Sequence, residues 1–337
     1  MKIGILGAGT WGIALAYLLH NNKHEVRVFS ALSEEIEALK KTNAHKSLPD
    51  TTLPEGIEYT KDIGEAIKDR ELVIFVVPSK FMRATALLAA PYLENGIIIA
   101  TASKGIESET LLTMSGVIED VITKERADLS YDIVALSGPT HAEEVVKGLP
   151  TSIVSASENE DIAFKIAEIF SSTCMRAYAN TDIFGVEICG ALKNIIAIAA
   201  GITRGMGYGD NAIAMLITRG IAEMCRMGMA LGCKRETFMG LAGIGDLIVT
   251  ATSRHSRNNR CGEMIGAGMS YECAAEKIGM VVEGYHALEA AIAMAKKYKV
   301  EMPITEAVYD VIKNGASPMD AMMRLMGRDI KNEIGGI

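Results

Sequence analysis

Aromatic residues make up 5% of this 337-residue chain, and Trp11 is its single tryptophan. A surface that stacks bases needs aromatics interleaved with cations, so that class of nucleic-acid binder has little to be built from. Positive charge is short as well. Against 34 Lys and Arg stand 42 Asp and Glu, a net of -8, the wrong sign for bulk attraction to phosphate backbones. The six cysteines, Cys174, Cys189, Cys225, Cys233, Cys261 and Cys273, form no C-x-x-C pair and keep no regular spacing. They are expected to be free or buried thiols, with neither a disulfide framework nor a zinc site. No His, Cys and Asp cluster has ligand spacing, so no metal is expected. Internal repeats, low-complexity tracts and Pro-rich linkers are all lacking. Long clean hydrophobic runs are lacking too. The start, MKIGILGAGTWGIALAYLL, is broken by Gly4, Gly7, Gly9 and Gly12 and has no small-residue cleavage site. Ile195 to Ile202 is expected to be too short for a bilayer. A soluble cytoplasmic protein is expected, with no nucleic-acid partner and no membrane insertion.

What is present fits an ordinary globular protein, 49% hydrophobic and 23% charged, long enough at roughly 150 residues per domain for about two domains. The first half alternates short β-branched runs with helical stretches. Lys2 to Leu6, His24 to Phe29, Leu72 to Val77, Gly96 to Ala100, Ile133 to Leu136 and Thr151 to Ser155 are predicted strands. Ile13 to Asn21 and Ser33 to Lys41 are predicted helices. Strands separated by helices imply right-handed crossovers and a mostly parallel sheet. From Thr181 onward strand signal fades, and fifteen of the 19 methionines lie beyond residue 200. A helical core filled with pliable thioethers accounts for that bias.

Gly7-Ala8-Gly9-Thr10-Trp11-Gly12 fits G-x-G-x-x-G between a predicted strand and a predicted helix. In that context Gly7 makes the turn, Gly9 lets backbone approach a pyrophosphate, and Gly12 lets helix and strand close up. The helix N-terminus presents N–H groups and a positive dipole end. The fold class is therefore α/β, an N-terminal Rossmann-type mostly parallel sheet (residues 1–182) followed by an all-helical C-terminal domain (183–337). The second strand ends Phe29-Ser30-Ala31-Leu32. It carries neither the acid that would read a ribose hydroxyl nor the arginine that would hold a 2′-phosphate. Glu34 and Glu35 come later, on the next helix, so NAD and NADP both stay open.

Five segments could do chemistry. Lys104, in Ala102-Ser103-Lys104-Gly105, follows a predicted strand, where ligands of open parallel sheets collect. Ser137-Gly138-Pro139-Thr140-His141-Ala142 follows another strand and offers backbone N–H groups. His141 there has the position of a cap or surface residue. Lys193 sits in a helix apolar nearly all round, EICGALKNIIAIAAG, and a lysine so placed pays desolvation unless paired. Its pKa falls toward neutrality, which suits a general acid or base. A structural ion pair with Glu187 or Asp246 is the alternative. Asp246, among glycines and apolar neighbours, is the matching anion or else the cap of the helix that follows. Finally, Arg254-His255-Ser256-Arg257-Asn258-Asn259-Arg260 concentrates three arginines in seven residues, a composition suited to a phosphate.

Taken together, GAGTWG, ASKGIE at 102–107, LSGPTHAEEV at 136–145, GALKNIIAIAAGI at 190–202, GLAGIGDLIVT at 240–250, SRNNRCG at 256–262 and VVEG at 281–284 resemble the bacterial-type NAD(P)-dependent glycerol-3-phosphate dehydrogenases. The resemblance runs from residue 1 to about 334. It implies reduction of dihydroxyacetone phosphate to sn-glycerol 3-phosphate for glycerophospholipid synthesis, in the cytoplasm, by a homodimer. It implies Lys193 as the proton-transferring residue with Asp246 beside it, and Lys104 as a third catalytic residue that touches both cofactor and substrate. Gly138, Thr140, Ser256, Arg257 and Asn258 would join these three in binding the substrate. The cofactor, NAD or NADP, would touch Gly7, Gly9, Thr10, Trp11, Gly12, Lys104, Ala142, Arg257, Val281 and Glu283. Many NADP-using relatives carry an arginine soon after the second strand, where this chain has Ala31, which weakens the case for NADP. Two other readings compete: a dehydrogenase of hydroxy acids on the same two-domain plan, and a silent nicotinamide-binding sensor.

Overall fold

The computed structural model describes residues 1–48, 50–330 and 332–333. Residues 331 and 334–337, the tail of the expected second domain, lie outside the described residues. Eight strands form one sheet: β1 (Lys2–Leu6), β2 (Glu25–Phe29), β3 (Glu58–Thr60), β4 (Leu72–Phe75), β5 (Ile97–Thr101), β6 (Tyr131–Ser137), β7 (Thr151–Ala156) and β8 (Met175–Asn180). Their order is β3-β2-β1-β4-β5-β6-β7-β8. Pairing is parallel except between β6 and β7, which run antiparallel. Every residue of β4 and β5 is buried, as a parallel strand covered by helices on both faces requires, and this makes their sequences continuous apolar runs. Edge strands β3 and β8 lack such runs. EYT is three residues long, and MRAYAN is mostly half-buried or exposed, so the hydrophobic pattern does not foresee either one.

The chain divides into two compact units. One comprises Met1–Ser103 with Met114–Ile183, the other Lys104–Thr113 with the chain from Phe184 onward. The excursion from Lys104 to Thr113 is closed by an antiparallel bridge between Ile106 and Thr113. It seats Ile106 in the core of the helical unit.

The helical unit is organised around the Ile183–Gly205 helix. By length, 23 residues, and mean hydropathy, 1.7, this helix is able to cross a membrane. Judging from Ile195 to Ile202 alone underestimates it. Yet 94% of its apolar window is buried inside the protein, and that all-round cover is why it is apolar on every face. Met224, Met227, Met294 and Met302 fill the surrounding core, whereas Met319, Met323 and Met326 are exposed. The core-filler account of the methionines therefore holds for only part of them.

Small residues let the Arg257–Gly266 helix approach the Ile183–Gly205 helix backbone to backbone. A Cβ at Gly201 would overlap the Asn259 carbonyl oxygen, and one at Gly262 would overlap that of Ile198. Neither obstacle is a side chain that can swing away. Gly262→Ala should thus destabilise the protein by about 1–3 kcal/mol, the usual cost of overpacking. A urea titration would measure it, and an unchanged midpoint would mean that the two helices part freely.

Candidate active site

In the sheet unit, β1 runs into the glycine loop and then into the Thr10–Asn21 helix. Gly7 has φ +126°, and a Cβ there would strike the Val76 carbonyl, so only glycine makes this turn. Its N–H donates to the Phe29 carbonyl oxygen at 2.9 Å, tying the loop to the end of β2. A Cβ at Gly12 would strike the Gly7 carbonyl, whereas nothing lies within 4 Å of one at Gly9. Gly9 is the N-cap of the helix, no side chain caps it, and the first turn holds no acid. Among the described residues the buried Thr10 hydroxyl has no hydrogen-bond partner. Open space beside Gly9, uncapped first-turn amides and this lone hydroxyl suit the pyrophosphate of a dinucleotide. Gly138, at φ +135°, follows β6, and its carbonyl accepts from the Thr140 hydroxyl at 3.2 Å. His141 occupies the N-cap position of the Ala142–Val145 helix, but its side chain does not cap. That short helix packs against the Thr10–Asn21 helix, which brings Ala142 to the glycine loop.

In the helical unit, the chemistry-bearing groups converge on one carboxylate. Lys193 Nζ donates to Asp246 Oδ1 at 2.6 Å and to Thr250 Oγ1 at 2.6 Å. Lys104 Nζ donates to the other oxygen, Oδ2, at 2.5 Å. Lys193 and Asp246 are both buried, at 5% and 1% exposure. Burial drives the Lys193 ammonium down to about 7, well below an ordinary lysine. Asp246 opposes that fall, and Lys104 adds to it. Burial alone would raise the Asp246 carboxyl; the two ammonium groups overcome it and hold the group below its usual range. Of the two partners open to Lys193 in the sequence, the geometry selects Asp246.

Asp246 owes its aim to an irregular turn. Leu241–Gly245 winds as a π-helical turn immediately before the Asp246–Thr252 helix, a local form that recurs at functional sites. Gly243 fits there because a Cβ would overlap the Phe238 backbone. Gly245, not Asp246, is the N-cap, so the capping role considered for Asp246 is not what its side chain does. Lys104 reaches the same carboxylate from a different stretch of chain. Although it follows β5, it belongs to the helical unit and is directed at Asp246.

Beside the carboxylate runs a chain of amides. Ser256 caps the Arg257–Gly266 helix by accepting from Asn259 N–H at 3.2 Å. Asn258 donates to Asn194 Oδ1 at 2.9 Å, and its own Oδ1 accepts from Gly284 N–H at 2.9 Å. Asn194 in turn donates to the Gly190 carbonyl at 3.2 Å. Asn258 is thereby fixed to the residue next to Lys193. The Val281–Glu283 segment is fixed through Gly284. Arg257, half-buried, opens the helix.

Of the candidate residues, Lys104, Lys193, Asp246, Ser256, Arg257, Asn258, Val281 and Glu283 fall in the helical unit. Gly7, Gly9, Thr10, Trp11, Gly12, Gly138, Thr140 and Ala142 fall in the sheet unit. Sequence reasoning missed Thr250 and Asn194. Thr250 was detectable, since it lies four residues beyond Asp246 and hence on the same helix face. Nothing in the pattern distinguishes Asn194 from any other amide on an apolar helix. Among the described residues no His, Cys, Asp and Glu grouping could hold a metal ion.

Comparison with known proteins agrees with this geometry. The NAD-dependent glycerol-3-phosphate dehydrogenase N-terminus family matches residues 2–163, and the corresponding C-terminus family matches 182–323. Glycerol-3-phosphate dehydrogenase [NAD(P)+] 2 of Lactobacillus delbrueckii subsp. bulgaricus is 51% identical over 333 residues, 99% of each chain. The Bacillus subtilis enzyme named glycerol-3-phosphate dehydrogenase [NAD(P)+] is 45% identical over 334 residues, 99% of this chain and 96% of that one. Among solved structures, glycerol-3-phosphate dehydrogenase from Coxiella burnetii superposes with a TM-score of 0.91 at 34% identity. That match covers 97% of this chain and 99% of the other.

Proposed function

The chain belongs to the NAD-dependent glycerol-3-phosphate dehydrogenase family, an NAD(P)-dependent oxidoreductase acting on a CH–OH group, and we propose that Lys193 is its proton donor and acceptor. The observation that carries this reading is the buried Lys193–Asp246–Lys104 cluster, where burial brings the Lys193 ammonium down to about 7. The reaction is reduction of dihydroxyacetone phosphate to sn-glycerol 3-phosphate and its reverse.

Residues 1–182 bind the nucleotide in this reading, and 183–337 hold the substrate and move the proton. Gly7, Gly9, Thr10, Trp11, Gly12 and Ala142 cradle the cofactor, with Lys104, Arg257, Val281 and Glu283 contacting it as well. When bound, the nicotinamide supplies the hydride that the carbonyl carbon accepts. Ser256, Arg257 and Asn258 hold the substrate phosphate, with Gly138, Thr140 and Lys104 on the remainder of the molecule. Of the three donors on the Lys193 ammonium, two go to Asp246 and Thr250, which aims the third at the substrate oxygen. As charge develops there, Lys193 gives up its proton and Asp246 steadies both states of the amine. Anchoring the phosphate converts binding energy remote from the reacting carbon into orientation. The protein acts as a cytoplasmic homodimer supplying glycerophospholipid synthesis.

Oxidation of NADH and NADPH, followed in parallel with dihydroxyacetone phosphate, tests the reaction. Turnover is expected. Silence with both, in folded protein that still binds nucleotide, would overturn the substrate assignment. Arg257→Ala should mainly raise KM for dihydroxyacetone phosphate, by roughly 30-fold if a charge-assisted contact of about 2 kcal/mol is lost. An unchanged KM would place the phosphate elsewhere.

A further inference from the structure

The carboxyl end of β2 carries a carboxylate that the strand itself does not contain. Ser30, the residue after the strand, is buried. Its hydroxyl donates to Glu35 Oε2 at 2.6 Å and accepts from Leu32 N–H at 3.2 Å. Glu35 stands in the first turn of the Ser33–Thr42 helix, and this bond folds its side chain back to the strand end. The other Glu35 oxygen lies 4.0 Å from His45 Nε2. His45 Nδ1 accepts from Ser47 N–H at 3.2 Å, so the proton of the neutral ring is assigned to Nε2, and the ring also hydrogen-bonds the Ala8 backbone. Burial holds the ring below its ordinary pKa, so at neutral pH it is no counter-ion to Glu35.

The segment that carries Glu35 has the same sign, and Lys46 stands beside His45. Residues 30–39 include Glu34, Glu35 and Glu37 and no Lys or Arg. On neighbouring segments Arg27 pairs with Glu58 at 2.6 Å and Lys61 with Glu37 at 4.0 Å. The strand end is joined to the glycine loop through Gly7 N–H and the Phe29 carbonyl. The carboxylate therefore belongs to the wall of the nucleotide site. In dinucleotide-binding folds an acid at this place accepts hydrogen bonds from the adenosine ribose. A 2′-phosphate brought to the same place meets a carboxylate that, among the described residues, is ion-paired with no arginine.

We propose that Glu35, positioned by Ser30, is the residue that sets cofactor preference, selecting NAD(H) over NADP(H). The inference rests on the nucleotide-site reading above and deepens it. Its test is direct binding to the whole chain without substrate, by titrating NADH and NADPH and following their own fluorescence. The unmodified protein should bind NADH at least tenfold more tightly than NADPH. Glu35→Gln removes the charge with little change in shape and should narrow that ratio at least threefold. Ala31→Arg, at an exposed position, should strengthen NADPH binding further when combined with Glu35→Gln than when made alone, because Glu35 would otherwise take up the new guanidinium. Equal or tighter binding of NADPH by the unmodified protein would overturn the proposal. So would a ratio unmoved by Glu35→Gln in protein of unchanged Tm. Failure to bind either cofactor would overturn the nucleotide-site reading as well, whereas binding of both in the wrong ratio overturns this inference alone.

Discussion

Replacing Lys193 by methionine should lower kcat by roughly a thousandfold, the usual scale for a positioned proton donor, while leaving the Kd of the reduced cofactor within about twofold, since the glycine loop proposed to cradle it belongs to the sheet unit. Methionine suits the site sterically. One turn away on the Ile183–Gly205 helix, Cys189, Ile196 and Ala197 are buried and apolar, and Asp246 keeps Lys104 as a partner. Near-normal turnover in Lys193→Met would remove Lys193 as the proton donor. The pH dependence of the unmodified protein carries a second signature. Burial lowers the Lys193 ammonium to about 7. Reduction requires the charged form, so its rate is full below that value and falls as pH rises through it. Oxidation requires the neutral amine and rises over the same interval. Profiles of kcat in both directions should cross near neutrality, and parallel profiles would contradict a single group serving both.

Asp246→Asn should damage both stability and activity. It leaves two ammonium groups, Lys193 and Lys104, around a side chain that no longer compensates them. Breaking a buried pair in this way costs about 3–5 kcal/mol. At roughly 2–4 °C per kcal/mol, that corresponds to a fall in Tm of about 10 °C. The sign of the activity change follows from the same charges. Asp246 raises the Lys193 pKa against burial, so without it the ammonium survives only at lower pH and reduction at pH 7 is lost first. A thermal scan together with a pH–rate profile reads both effects. A Tm equal to that of the unmodified protein would mean that the two lysines are not held in charged form.

The residues that local pattern made legible share one property: their meaning depends on near neighbours along the chain. β1 runs from Lys2 to Leu6, as its β-branched run predicts, because hydrophobic period and burial are encoded over a few residues. The glycine loop is legible because strand, turn and helix are contiguous. Lys193 stands out because a charge within an apolar helix must be compensated somewhere. What the pattern does not encode is where. Glu187 and Asp246 were equally open as partners. Edge strands β3 and β8 escaped notice because one is short and neither is apolar throughout. Thr250 and Asn194 acquire their roles only from groups on other helices.

The amino-acid sequence by itself determined the α/β class, the helical second half, the phosphate-suited loop and the lysine that had to be paired. Tertiary structure alone decided the pairing. It carried Lys104 out of the sheet unit to Asp246, 142 residues away. It brought Lys193 to the same carboxylate across 53 residues, and it folded Glu35 back onto Ser30 at a strand end that contains no acid. For the two lysines the physical reason is the same. Desolvation makes an unpaired charge costly wherever it is buried, and this is readable locally. The compensating group is chosen by which backbones approach closely enough, and here that is set by glycines such as Gly201 and Gly262 packing against carbonyls of distant segments.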